Sequence, residues 1–290
     1  MEGTDSELLS QAKSGDGRAF ESLLEPHLPQ LRGLLRRLLV SPADADDALQ
    51  ETLLQVQKAL PSFEGRSKLS TWLYTIALRT GRGQLSKQAT ERWRPDAIEY
   101  WREACEGDQS LAGELGAELM NPALEFDAQE HIAFCFSCVA RSLPFDQQAA
   151  LLLRDVFELT NEEAAGVVGM SHSVLRHALS DARSTMQTHY EGLCSLVSKQ
   201  GICYQCQGLR EFVPEERRRA SVPELASSDA DERFKRRLHV VREAPRVAPG
   251  MRQFQELIAA HLKAIEARRP TDADVERLTR DASGCKPGDT

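Results

Sequence analysis

Apolar residues recur every three or four positions through the first third of the chain. Phe20, Leu23, Leu24, Leu28, Leu31, Leu34, Leu35, Leu38 and Leu39 share one helical face behind Asp16. The spacing predicts one helix from about residue 17 to Val40. Ser41-Pro42 restarts the chain, Ser as N-cap and Pro at the first helical position. Asp44, Asp46 and Asp47 then fill the first turn, where the helix dipole favours anions. This second helix should end near Leu60-Pro61, and a third should span about Ser70 to Leu85. From 89 to 128 the periodicity lapses, with at most a short helix near 97–106. It resumes with a helix from about Ala123 to Leu143 and another opened by Pro144. Thr160-Asn-Glu-Glu163 has the form of a capping box, Gly169 stands where that short helix should stop, and Ser171 caps a longer one to about Tyr190. A capped short helix, a turn and a longer helix make a helix-turn-helix outline. Beyond 213 one amphipathic stretch stands out, Phe254, Leu257, Ile258, His261, Leu262 and Ile265. It predicts a single helix within a disordered tail.

The pattern therefore predicts an all-α protein. Two small helical domains occupy 5–88 and 129–190, joined by a linker at 89–128. A cysteine-containing extension at 191–212 and a charged tail at 213–290 follow. With 290 residues, 41% of them hydrophobic and only 6% aromatic, the cores must be largely aliphatic. No run nears the roughly 18 apolar residues of a membrane span, and the first residues are polar, so a cytoplasmic protein is expected. The net charge of −8 runs against the basic footprint of a protein that grips free DNA. The distribution qualifies this, because residues 1–88 hold 11 basic and 11 acidic side chains while 89–128 hold 3 and 10. Most of the net negative charge sits in the linker, which could serve as a nucleic-acid mimic in a basic channel or as a solvated spacer.

Asp47, Gln50, Glu51 and Gln55 fall at i, i+3, i+4 and i+8, hence on one polar face of the second helix. Such a stripe is either solvated or a docking face. On the third helix Trp72 and Ile76 lie four apart, flanked by Arg66, Lys68, Arg79 and Arg82. Cations beside an aromatic suit a single strand, because cations hold phosphates and any base stacks on a ring. In the last helix of the helix-turn-helix, Ser171, His172, Ser173, Arg176, His177 and Arg183 are the candidates for duplex contact. No Walker loop, GxSxG, HExxH or dinucleotide fingerprint is present, so no catalytic site is expected.

The segments Asp44 to Leu60, Phe63-Glu-Gly-Arg66 and Leu69 to Ala77 resemble the polymerase-binding, promoter-melting domain of extracytoplasmic-function sigma factors. Leu143-Pro144, Gln147 to Arg154 and Thr160 to Arg183 resemble that family's helix-turn-helix domain, in the family's order. The resemblance implies an alternative sigma factor with core RNA polymerase and promoter DNA as partners, often held by an anti-sigma protein. It places polymerase docking on the face of Asp47, Gln50, Glu51 and Gln55. Minus-ten contacts fall on the loop and third helix, and minus-thirty-five contacts on the helix-turn-helix. Arg79 and Gly83 depart from the Asn and Asp usual there; Ala178 and Asp181 stand where basic residues are usual. A conventional helix-turn-helix regulator would not need segment 44–77.

The cysteines lie outside that resemblance. Cys135-Phe-Ser-Cys138 sits on a predicted helix and Cys203-Tyr-Gln-Cys206 follows the reading helix. Two CxxC pairs could hold zinc, as could His189, Cys194, Cys203 and Cys206. Alternatively Cys135 and Cys138 are buried as small hydrophobes, and no cofactor is required. A rival reading is a metal- or redox-responsive interaction protein whose helix-turn-helix has lost DNA binding, supported best by Ala178 and Asp181.

Overall fold

The computed structural model describes residues 2–87, 128–193, 225, 227–244 and 251–267. Among them all regular structure is helical. In chain order the helices are α1 (Glu2–Lys13), α2 (Gly17–Leu24), α3 (Leu28–Leu39), α4 (Pro42–Ala59) and α5 (Leu69–Lys87), then α6 (Ala128–Ala140), α7 (Phe145–Leu151), α8 (Asn161–Val168) and α9 (His172–Leu193), and finally α10 (Ala230–Glu243) and α11 (Met251–Ala267). None is long and apolar enough to cross a membrane.

The helix expected from 17 to 40 is two helices. Asp16 caps α2 through Arg18 N and Ala19 N at 2.8 and 3.0 Å, but the chain turns at residues 25–27 before α3 begins. Pro26 and Pro29 lack the amide a continuous helix would need, and each ring crowds the preceding turn. The apolar spacing bridges this break because α2 and α3 bury their stripes against neighbouring parts of one core. Between α3 and α4, Val40 takes φ 65°. A β-branched side chain in that region costs about 1–3 kcal/mol, offset here by burial of Val40 and by the Ser41 cap on Asp44 N at 3.2 Å. The α8 capping box forms in both directions, Thr160 Oγ1 accepting from Glu163 N and Glu163 Oε2 from Thr160 N. Gly169 closes α8 at φ 78°, a left-handed position that favours glycine.

The core joins both halves of the chain. Leu31, Leu34, Leu35 and Leu38 of α3 and Leu73 and Ala77 of α5 bury with Ile132 and Phe136 of α6, Leu151 to Leu153, and Leu175, Leu179 and Met186 of α9. Helix α6 is apolar on nearly every side and buried on nearly every side, which places it centrally. The seam carries polar fasteners too. The Arg141 guanidinium donates to Leu39 O at 3.1 Å and Gln148 Nε2 to Arg37 O at 3.3 Å, so residues after α6 satisfy the carbonyls ending α3. A smaller cluster, Ala12, Ala19, Leu23, Leu60 and Phe63, seats α1 and α2 against the start of α5.

The tail holds two helices where one was expected. Its charge hides the stripe of α10, but Phe234, Leu238 and Val241 recur at i, i+4 and i+7 and are buried, behind an Asp229 cap on Asp231 N at 2.9 Å. The short helix expected near 97–106 lies outside the described residues.

Candidate polymerase and promoter interfaces

Asp47, Gln50, Glu51 and Gln55 are all exposed on α4, because Ala45, Ala48, Leu49, Thr52 and Val56 take the opposite, buried side. Glu51 Oε1 accepts from Gln55 Nε2 at 2.6 Å. Leu54 lies among them and is 51% exposed, one of two large apolar side chains so displayed among the described residues. An apolar residue within a polar, co-facial set is the composition of a docking patch.

The promoter-melting candidates divide. Arg66 and Arg79 are exposed, Arg66 beside Glu64 at 3.0 Å. Trp72 is half-buried, its ring 4.9 Å from that of Phe63, and Ile76 is half-buried against the main core. Both therefore help hold α5 in place and keep an edge outward. Lys68 and Arg82 are engaged by the other half of the chain. Lys68 Nζ lies 2.8 Å from Glu163 Oε1 in the α8 capping box. Arg82 reaches Asp146 at 3.5 Å and lies 4.8 Å above the Phe145 ring. The Glu163 carboxyl is held down at about 2, first by Lys68 and then by the Thr160 amide and hydroxyl. Sequence reading took Thr160-to-Glu163 as a cap alone; nothing in it points to a partner 95 residues away.

On the helix-turn-helix, Ser171, His172, Ser173, Arg176 and His177 are exposed at the start of α9, with Val174 at 50%. Ser171 Oγ accepts from Val174 N at 3.4 Å, as a cap should. Arg183 is different: its guanidinium makes a two-pronged bond to the buried Asp155 carboxylate at 2.8 and 2.6 Å. It fastens α9 to the turn after α7, which sets it apart from the DNA-contact candidates. Ala178 is buried, so its lack of charge removes no phosphate contact from the exposed face; Asp181 is exposed.

Of the metal candidates, Cys194, Cys203 and Cys206 lie outside the described residues. Cys138 belongs to the main core and Cys135 packs half-buried against it, the surroundings of small hydrophobes. His189 is half-buried, and burial lowers its pKa. Among the described residues no three His, Cys, Asp or Glu side chains form a group that could hold a metal.

Known proteins match this arrangement in order. The family model of sigma-70 region 2 matches residues 23–91 and that of sigma-70 region 4 matches 133–186. The extracytoplasmic-function (ECF) RNA polymerase sigma-E factor of Escherichia coli (strain K12) is 29% identical over 190 residues, which cover 66% of this chain and 96% of that protein. The RNA polymerase sigma-H factor of Pseudomonas aeruginosa is 29% identical over 182 residues, 63% of this chain and 91% of that one. Among solved structures, CnrH in complex with the cytosolic domain of CnrY matches with TM-score 0.46 and 19% identity over 65% of this chain and 97% of that chain. A region 2 bundle followed by a region 4 helix-turn-helix defines a sigma factor, which binds core RNA polymerase and promoter DNA and is not an enzyme. This chain belongs to the extracytoplasmic-function sigma factors.

Proposed function

We propose that this alternative sigma factor docks on the polymerase clamp through the α4 face of Asp47, Gln50, Glu51, Leu54 and Gln55. The loop before α5, with Trp72, Arg79, Lys68 and Arg82, then holds the melted minus-ten strand, and the start of α9 reads the minus-thirty-five duplex. The observation that carries this reading is the exposure of the whole α4 set around Leu54, on a helix whose other side is core. A regulator that bound an operator alone would have no use for that patch. Base stacking on Trp72 supplies about 1–3 kcal/mol toward holding a strand open. Polymerase supplies the rest by tethering, since one exposed acid, Asp181, faces the duplex side and the protein's own grip on DNA is weak. Its place of action is then the cytoplasm, with an anti-sigma protein among its partners. If Cys203 and Cys206 hold zinc, the metal serves regulation of the extension rather than promoter contact.

Run-off transcription with purified core polymerase tests the reading. Wild-type protein should give a promoter-dependent transcript, and Leu54→Asp with Gln55→Arg should abolish it while the helical circular dichroism is kept. Full transcription by that variant overturns the docking assignment.

A further inference from the structure

Elements at minus ten and minus thirty-five lie about 25 base pairs apart, roughly 85 Å of duplex at about 3.4 Å per base pair. In this structure the two domains that should read them touch, through Lys68 to Glu163 of α8 and Arg82 to Asp146 of α7. The body described is therefore a closed one, and the tail stitches it shut. On the region 2 side, Glu256 accepts from Ala43 N at 2.9 Å and so occupies the N-terminus of α4, Arg252 pairs with Asp46 at 2.9 Å, and the Arg37 guanidinium donates to Val241 O at 2.8 Å. On the region 4 side, Arg242 donates to Asp155 O at 2.6 Å and pairs with Glu158 at 3.2 Å, Asp231 accepts from Gln187 at 2.6 Å, and Gln255 donates to the buried Glu130 at 2.9 Å. Between these, Phe234, Leu238 and Val241 are buried, and Arg237, 2% exposed, stacks 3.7 Å over the Tyr190 ring.

We propose that α10 and α11 are a built-in clamp that binds both promoter-reading domains at once and holds the sigma factor closed until the two helices are displaced. The clamp makes different contacts with each domain, and those contacts can coexist only when the domains lie together. Its binding energy therefore favours the closed state over the open one. The proposal rests on the sigma reading for its consequence, and on geometry alone for the clamp itself.

The test compares the full chain with two full-length variants, Glu256→Lys, which puts a cation at a helix N-terminus, and Val241→Asp. Hydrogen exchange and run-off transcription are measured on each. Faster exchange in α10 and α11 should be accompanied by faster exchange in α5 and α8. The sigma concentration giving half-maximal transcription should fall by about fivefold or more, the lower range of such couplings. A loosened tail that leaves α5, α8 and transcription unchanged overturns the clamp, as does a tail whose protection neither change affects. Loosening of α5 and α8 with no transcript from any protein upholds the clamp and refutes the sigma reading instead.

A second observation is a cavity beside two of those contacts, Arg252 to Asp46 and Gln255 to Glu130. At the junction of α3, α6 and α11 lies a cavity of about 590 Å³, within the range of small-molecule sites. Arg32, Arg36, Arg37 and Arg252 line it together with Val40 and Phe134. Asp46 is shared between Arg32 at 3.8 Å and Arg252 at 2.9 Å, and Glu130 is taken by Gln255. The Arg36 Nε is buried without a hydrogen bond among the described residues, and burial lowers its pKa most, opposed by Asp46 and Glu130 and aided by the cations Arg32 and Arg252. Four guanidinium groups against one carboxylate, Glu130, in the wall of a partly apolar space ask for a planar or tetrahedral oxyanion. The geometry points to a seat for a phosphate-bearing ligand that, being walled by both domains and the tail, would favour the closed state. Thermal unfolding of the full chain is measured with inorganic pyrophosphate and with guanosine diphosphate, at ionic strength matched by chloride. Each should raise Tm by about 3 °C and Arg36→Gln should abolish the rise; a larger rise with the nucleotide means the apolar wall seats a base. A rise no greater than chloride gives, or one that persists in Arg36→Gln, overturns the seat.

Discussion

The two DNA-reading regions of this protein are presented very differently. At the start of α9 the candidate reading side chains stand in solvent, while at and just before α5 two of the candidate cations are held by side chains of the other domain. The difference follows from what each surface must contact. A duplex reader needs only to reach a groove, and exposure costs it little. A strand-melting surface combines an aromatic and several cations, and left open it would bind any single strand in the cell. The closed body thus pairs two cations of the promiscuous surface with carboxylates and leaves the selective one free. Opening is the step that turns a duplex binder into a melting factor.

Acid should break this contrast most strongly. His131 on α6 is buried, and its pKa is lowered to about 4, by burial first and by the Arg237 charge second. The neutral ring is the one the fold accepts, so no penalty exists above the unfolded value near 6.5. As pH falls below it the unfolded chain takes up the proton and stability drops, until the loss is complete near pH 4. At about 1.4 kcal/mol per unit this reaches about 3 kcal/mol. Urea unfolding between pH 7 and 4 should show the decline and His131→Leu should flatten it; an equally steep decline in that variant places its cause in other groups.

Next in size is the anchor of α9. Removing Asp155 leaves Arg183 beside a buried surface without its partner, and because Arg183 is half-exposed the cost should be about 2 kcal/mol, below that of a fully buried pair. Arg183→Met sharpens the comparison of roles. A purely structural arginine loses that stability and leaves the salt dependence of promoter binding by the holoenzyme unchanged, whereas a phosphate contact would reduce the slope by about 1. Arg176→Ala should do the converse, weakening promoter binding by about 1–3 kcal/mol with unchanged stability.

The sequence carried the helices of both domains well where a local signal marked their ends. Ser41-Pro42, Thr160 with Glu163, and Gly169 are each local, and each functions in the structure as its chemistry demands. The reading failed where a marker was weaker than the pattern across it, as at Pro26, and where charge masked a stripe, as in α10. Contacts between distant segments left no trace in periodicity. Lys68 looked like a strand contact because its neighbours in sequence suit one; its neighbour in space is Glu163. The tail looked accessory because its charges are mixed, yet Arg237, Arg242, Arg252 and Glu256 each have a designated partner on the folded body.

Thr160→Ala should cost about 1 kcal/mol, an ordinary cap loss, and should fray α8 without touching α5. The smallest effect on stability is expected from Glu163→Gln, and it discriminates best between the two surfaces. Glu163 serves the cap and Lys68 together, and its carboxyl, depressed to about 2, contributes its stability above the ordinary carboxylate range and loses it only as pH falls toward 2. The amide keeps an acceptor for the Thr160 side and gives up the charge that holds an exposed lysine. Because the pair with Lys68 is solvent-screened, its loss should lower stability at neutral pH by less than Thr160→Ala does. Lys68, released, becomes available to phosphate, so quenching of tryptophan fluorescence by a single-stranded oligonucleotide should be stronger in Glu163→Gln at low salt and converge on wild type at high salt, as screening removes the pair in both. Equal quenching at low salt would mean that Lys68 is not what the closed body shields, leaving Arg82, with Phe145 and Asp146, as the guarded cation of α5.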